Sequence, residues 1–156
     1  MIRFEKVTME NFEEVIGLKL KEDQVEFLES NLYSLAEAKV NEALEPRGIY
    51  YNEELIGFML YYFKEDNPDY VYLKRIMLDE KFQGRGWGRE AMEESIAFFK
   101  REYPTIGAVE LMHYFDNEGG ESLYISLGFE ETGEVRETVR PGTDIVDKER
   151  VRRYFY

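Results

Sequence analysis

Between residues 70 and 101 the sequence changes its period. Tyr70 to Leu78 is a strongly β-prone run, and residues 88–101 carry the apolar spacing of a helix. Joining them is Gln83-Gly84-Arg85-Gly86-Trp87-Gly88-Arg89. Its three glycines let the backbone turn tightly and aim successive N–H groups at one point. The helix start adds free donors and a partial positive charge. Strand, glycine turn and helix in that order make a seat for an anion such as a pyrophosphate. The plain alternative is a glycine-rich turn with no ligand.

Local charge favours the ligand. The chain carries a formal net charge of −13, yet residues 74–89 hold Lys74, Arg75, Lys81, Arg85 and Arg89 against only Asp79 and Glu80. The acidic remainder repels nucleic-acid phosphates and attracts small cations, so no nucleic-acid partner is expected. Acidity also serves solubility alone. Two rival phosphate motifs are weighed by context. Gly86-x-Gly88-x-x-Ala91 meets the loose dinucleotide fingerprint. However, Asp79–Phe82 separates it from the apolar strand, and 156 residues leave no room for a full doubly wound sheet. No Gly-Lys-Ser/Thr follows, which excludes a Walker-type loop.

Along the rest of the chain, residues 2–7 alternate as a strand. Thr8 is placed to cap a helix over Met9–Leu20, with Phe12, Val15, Ile16 and Leu20 on one face. Helical stretches are predicted over Gln24–Asn31 and Ser34–Leu44, the latter ending before Pro46. Strands follow over Ile49–Tyr51 and Leu55–Tyr62, about the turn Asn52-Glu53-Glu54. Pro104 ends the helix after the glycine turn, and residues 107–114 read as a strand. Asp116–Gly120 opens a short helix over Glu121–Leu127, stopped at Gly128. Phe129 onward reads as two strands broken at Pro141-Gly142. The order βαα(α)βββαβαββ predicts an α+β (mixed α/β) fold, a central mixed sheet flanked by helices.

The length predicts one domain over residues 1–156, able to bury roughly 70% of its unfolded surface. With 0 cysteines there is no disulfide, thiolate metal site or cysteine nucleophile, and no metal is expected. No apolar run reaches the ~20 residues of a membrane helix. The start Met1-Ile2-Arg3-Phe4-Glu5 does not read as a signal peptide. The expected place is the cytoplasm, away from membranes.

Gln83-x-x-Gly86-x-Gly88 after a strand resembles the acetyl-CoA signature of the GNAT family of N-acetyltransferases. Downstream, Asn117, Gly120, Leu123-Tyr124 and Gly128-Phe129 resemble that family's Asn…Ala…Leu-Tyr…Gly-Phe pattern, with Gly120 where alanine is common. Gln24-Val25-Glu26-Phe27-Leu28-Glu29-Ser30, Gly48-Ile49-Tyr50-Tyr51 and Leu55-Ile56-Gly57-Phe58 resemble the bacterial spermine/spermidine acetyltransferases. The resemblance implies the acyl-CoA N-acyltransferase fold. It also implies direct transfer, in a ternary complex, from acetyl-CoA to a primary amine, with a polyamine such as spermidine or spermine favoured. An aminoglycoside, an amino acid or a protein N-terminus stays open as acceptor, as does a CoA-binding module without turnover. By the same resemblance, the backbone of Gly84, Arg85, Gly86, Trp87, Gly88 and Arg89 and the Gln83 side chain hold the pyrophosphate. Ile76, Met77 and Leu78 pair with the pantetheine amides, and the Leu78 N–H faces the thioester carbonyl.

Acetyl transfer to an amine needs that amine deprotonated, and a free alkylamine keeps its proton to about pH 10.4. The departing thiolate benefits from a proton. Tyr124 is the candidate acid, since a phenol is neutral at pH 7 and can donate. Its alternative is core packing, as one of 12 tyrosines. Asn117 either contacts the cofactor or caps its helix. The base is not legible: His113, Glu110 and Tyr72 are candidates, and a water relay to a carboxylate would serve equally. Residues 1–30 carry 8 acidic and 4 basic side chains. Glu26 and Glu29, spaced i, i+3, would share one side of a helix and hold the distal ammonium groups of the acceptor. Glu65, Asp66 and Asp69 form a second acidic group. A solvated face and a solvated loop are the plain alternatives. The basic, aromatic C-terminus, residues 150–156, alternates like an edge strand, which leaves a homodimer open.

Overall fold

The computed structural model describes residues 1–139 and 142–156. Its middle is built from the two most apolar runs. β3 (Glu54–Phe63) and β4 (Tyr70–Leu78) pair antiparallel and are largely buried, because both faces of the sheet are covered there. β2 (Glu45–Tyr51) and β1 (Ile2–Lys6) continue the antiparallel half. On the other side β4 pairs parallel with β5 (Ala108–Tyr114). β5 then takes β7 (Val146–Phe155), which takes β6 (Glu130–Val139), both antiparallel. The 7-stranded sheet therefore runs β1-β2-β3-β4-β5-β7-β6.

Alternation along β3, interrupted by a bulge at Ile56, divides the core. Ile56, Met59 and Tyr61 face α3 (Trp87–Glu102) and α4 (Glu118–Ser126), with Phe98, Phe99 and Phe129 packed among them. Leu55, Phe58 and Leu60 face α1 (Phe12–Gly17) and α2 (Asn31–Val40). Helix α3 buries Ala91, Met92, Ser95, Phe98 and Phe99, a single stripe at helical spacing. Glu90 in its first turn and Lys100 and Arg101 in its last complement the helix dipole.

The N-terminal helices depart from expectation. The helix predicted over Met9–Leu20 is only Phe12–Gly17. Thr8 accepts from the Glu10 N–H in a local turn, and Asn11 takes the N-cap position. At the other end the backbone of Lys19 is claimed by tertiary bonds. Its N–H donates to Asp79 Oδ2 at 2.8 Å, and its carbonyl accepts from the Glu80 N–H at 2.7 Å. The helix predicted over Gln24–Asn31 is instead a short 3-10 helix, Glu22–Phe27. The next begins earlier than predicted, capped by Ser30, whose hydroxyl accepts from the Tyr33 N–H.

Pro46 lies inside β2 rather than before it, opposite Leu60 and beyond the reach of β1, so its missing N–H breaks no ladder bond. The C-terminal strand is also corrected. β7 is interior, bonded on both sides by β5 and β6, so it offers no edge for the subunit pairing expected of it. Pro141, expected at the break between the last two strands, lies outside the described residues.

Asp79 is the joint between β4 and the N-terminal segment. It is buried, and its second oxygen accepts from the Lys81 N–H at 3.0 Å. Asp79→Asn keeps one accepting oxygen and turns an N–H₂ toward the other backbone donor. The expected cost is about 1–3 kcal/mol. For a chain of this size that lowers Tm by roughly 2–12 °C, measured by thermal denaturation.

Candidate active site

The parallel pairing of β4 with β5 lasts for three residue pairs, Tyr70↔Ala108, Val71↔Val109 and Tyr72↔Glu110, and then stops. The reason lies in β4 itself. Its register against β3 shifts between Arg75 and Leu73, leaving Lys74 as an extra, bulged residue. A bulge bends its strand and ends pairing. Beyond it the two strands diverge into a cleft of about 330 Å³. Residues 73–78 form one wall and residues 111–114 the other, with the starts of α3 and α4 and Leu20, Gln24 and Leu28 around them.

The β4 wall carries unpaired backbone groups. The Asp79 N–H donates to Ile56, so alternate residues along this stretch bond to β3. Ile76 and Leu78 therefore turn their N–H and C=O groups into the cleft. Met77 does not: its backbone faces β3, and its side chain joins the opposite core, with its sulfur 3.7 Å from Asn31 Nδ2. Of the free groups, the Leu78 carbonyl accepts from the Gln83 side-chain amide at 2.9 Å. Gln83 thus ties the turn to the strand end.

The glycine turn has the expected shape. Gly84 and Gly86 have φ of 76° and 83°, and a Cβ at either would meet nothing within 4 Å, so the turn presents open backbone. Gly86 is the N-cap of α3. Gly84 and Gly88 line the cleft, while the side chain of Trp87 points away from it. That indole stacks on Tyr51 at 4.9 Å and on Phe82 at 5.4 Å, behind the turn. Arg85 lies 5.9 Å from the Trp87 ring centroid, and Arg89 reaches Glu93 and the Ser126 hydroxyl. The cationic island is also smaller than its composition suggests. Glu37 on α2 binds Lys74 at 2.9 Å and Arg75 at 3.0 Å. Burial alone would raise the Glu37 carboxyl, but the two cations outweigh it and hold it below its usual value.

Across the cleft, Asn117 and Tyr124 come from α4. The Asn117 side chain accepts from the Gly120 N–H at 3.1 Å, so it is a helix cap as well as a cleft residue. A Cβ on residue 120 would come within 2.7 Å of the Asn117 amide. Glycine, where alanine is common in the family, leaves the cap in place. Tyr124 packs against His113 and Phe129 at centroid distances of 5.7 and 6.0 Å. Its hydroxyl forms no hydrogen bond to another described residue. Burial pushes its pKa up to about 12, so the phenol keeps its proton through neutral pH.

The base candidates named from sequence are committed elsewhere. His113 is buried, with Nδ1 3.0 Å from the Tyr114 carbonyl and Nε2 2.9 Å from Arg152 Nε. Arg152 can only donate, so the network assigns the lone pair to Nε2 and the proton to Nδ1. Burial holds this imidazole below its usual pKa despite the Tyr114 bond, and Arg152 adds to the effect. Glu110 is buried between Lys64 at 2.8 Å and Arg153 at 2.7 Å. Tyr72 is buried, and burial raises its pKa far beyond the working range of a base. The carboxylate that sequence reading missed is Glu149 on β7, which lines the cleft.

Of the acceptor candidates, Glu26 and Glu29 are exposed, but they do not share a helix face. Glu26 is in the 3-10 helix, and the chain is already extended at Leu28. Glu65, Asp66 and Asp69 lie between β3 and β4, at the opposite end of β4 from the glycine turn.

A sequence model of the Acetyltransferase (GNAT) family matches residues 12–129. The chain belongs to the GNAT acetyltransferase family. It is an acetyl-CoA-dependent N-acetyltransferase. It is 30% identical over 139 residues to the spermine/spermidine N(1)-acetyltransferase of Bacillus subtilis (strain 168), covering 86% of this chain and 91% of that one. The fold matches spermidine N-acetyltransferase from Vibrio cholerae, solved with CoA and spermine. There the TM-score is 0.74 and the identity 15%, over 99% of this chain and 95% of that one. It also matches the ribosomal-protein-S18-alanine N-acetyltransferase of Escherichia coli, with a TM-score of 0.71 and 20% identity over 98% and 92%. The residues present fit the coenzyme. The diverging strands offer amide partners to an extended amide-bearing chain, and the open turn at the start of α3 offers N–H donors to a pyrophosphate. Among the described residues no helix is long and apolar enough to cross a membrane.

Proposed function

We propose that the protein acetylates a polyamine such as spermidine or spermine in a ternary complex, with residues 1–156 acting as one domain. The placement of acid carries the acceptor reading. Glu22, Asp23, Glu26 and Glu29 are all exposed on the segment whose Gln24 and Leu28 line the cleft. An acidic rim of that kind raises the local concentration of a polycation. The Bacillus relative, named for spermine and spermidine, supports the same acceptor class.

Bound acetyl-CoA supplies the activated acetyl group. Backbone N–H groups from Gly84 to Arg89 hold its pyrophosphate, and Gln83 braces that turn against Leu78. Ile76 and Leu78 orient the pantetheine arm. The Leu78 N–H would donate to the thioester carbonyl. Tyr124 holds a proton at its phenol oxygen for the departing sulfur. Asn117 fixes the start of α4 and so the position of Tyr124 over the cleft.

The test is release of CoA thiol from acetyl-CoA in the presence of spermidine, spermine, an aminoglycoside, several amino acids or a short peptide. With 0 cysteines the protein adds no thiol background. Spermidine and spermine should give the highest kcat/KM, and their advantage should shrink as salt screens the acidic rim. A peptide or an amino acid turned over faster than either polyamine removes the polyamine reading and leaves the enzyme class intact.

A further inference from the structure

The structure assigns Glu149 as the carboxylate that takes the proton from the incoming ammonium group, directly or through one water. The assignment rests on the amine-acetylation reading above. Three observations carry it. Glu149 lines the cleft between the diverging strands. Its side chain has no hydrogen bond or ion pair to another described residue, so its lone pairs are not spent. Four neighbouring groups are spent: Glu110 on Lys64 and Arg153, His113 on Arg152, Glu121 on Arg152, and Glu37 on Lys74 and Arg75.

The surroundings suit the task. Asp147 stands two residues along the same strand. Tyr72 on β4 senses the Glu149 charge and is itself flanked by Tyr62 on β3 and Glu110 on β5. Tyr114 on β5 and Arg136 on β6 are the register partners of Glu149. Arg136 sits 3.9 Å from Glu134. Burial first, and then the charge of Asp147, raise the Glu149 carboxyl above its usual value. A base closer to neutral pH takes a proton from an ammonium group more readily than an ordinary carboxylate does.

Two protons leave the nitrogen in the reaction. Glu149 takes the first: an N–H bond breaks, an O–H bond forms at a carboxylate oxygen, and the freed lone pair forms the amide bond. Glu149 then returns that proton to water. The second leaves as the amide forms and the acetyl C–S bond breaks with its electron pair on sulfur; it restores the proton that Tyr124 gives to that sulfur.

The test compares Glu149→Gln with the unmodified protein, using whichever amine of the panel the unmodified protein turns over fastest. Failure of the polyamine reading and failure of this assignment are therefore separate results. Because Glu149 has no partner to orphan among the described residues, the variant should keep its Tm and its acetyl-CoA Kd. Its kcat/KM at pH 7 should fall by at least tenfold. The acidic limb of the kcat/KM profile, where the unmodified enzyme loses its base as pH falls through the raised pKa, should disappear. Independently of turnover, the NMR resonance of the Glu149 carboxyl carbon should shift when the same amine is added to the protein with CoA. A variant that keeps its kcat/KM within twofold and the same acidic limb overturns the assignment. So does a Glu149 resonance that the amine leaves unmoved.

Discussion

Tyr124→Phe should lower kcat by roughly 100-fold or more, the usual worth of a positioned general acid, and leave the acetyl-CoA Kd unchanged. The substitution removes one oxygen that makes no hydrogen bond to a described residue, so the packing of the ring on His113 and Phe129 survives. Stability should stay within about 0.5 kcal/mol, as for substitutions that break no buried network. The raised pKa fixes the pH behaviour of the parent enzyme. A phenol held near 12 is protonated, and so competent as an acid, at every pH below that value. Its contribution is lost only as pH rises toward 12. Any decline of the parent between pH 8 and 10 therefore has another source, and Tyr124→Phe should scale the profile in that range without changing its shape. Steady-state kinetics across pH, with acetyl-CoA binding measured by calorimetry, separate this from core packing. A variant within threefold of the parent kcat would make Tyr124 a packing residue.

The parts of this molecule that could be read from sequence are those governed by local rules. Tyr70–Leu78 is a strand over the predicted residues because β-branched and aromatic side chains fill it and a polar loop bounds each end. The glycine turn and α3 were legible because backbone freedom and the helix stripe are properties of adjacent residues. The errors arose where a distant residue decides. The helix predicted over Met9–Leu20 stops at Gly17 because Asp79 and Glu80, some sixty positions away, capture Lys19. Lys74 and Arg75 counted toward an anion seat until Glu37 claimed both. The C-terminal run alternates as an edge strand would, yet β7 inserts between β5 and β6, and no local pattern encodes that position. Glu149 became visible for the same reason. Only the insertion of β7 beside β5 brings it to a cleft whose recognisable motifs lie earlier in the chain.

Gly57 joins fold and site most directly, and Gly57→Ala should damage both. Gly57 faces Leu78 across β3 and β4 in the closely spaced, non-hydrogen-bonded type of pair. A methyl group there would overlap the Met77 carbonyl oxygen. It would also lie 2.7 Å from Leu78 Cδ2 and 3.3 Å from Leu78 Cα. A side chain can rotate aside, but the carbonyl belongs to the strand, so the end of β4 must move. Overpacking of this kind costs about 1–3 kcal/mol, or roughly 2–12 °C in Tm for a chain of this length. The moving segment is also the wall that presents Ile76 and Leu78 to the cleft and anchors Gln83. A displaced wall misaligns those groups, and acetyl-CoA affinity should fall by about 10-fold or more, equivalent to losing about 1.4 kcal/mol of binding. Gly107→Ala is the control, because a methyl group at that position meets nothing within 4 Å. Thermal denaturation and calorimetric titration of both variants give the answer. If Gly57→Ala behaves like Gly107→Ala, the end of β4 has slack, and the close seating of Leu78 against β3 does not position the cofactor wall.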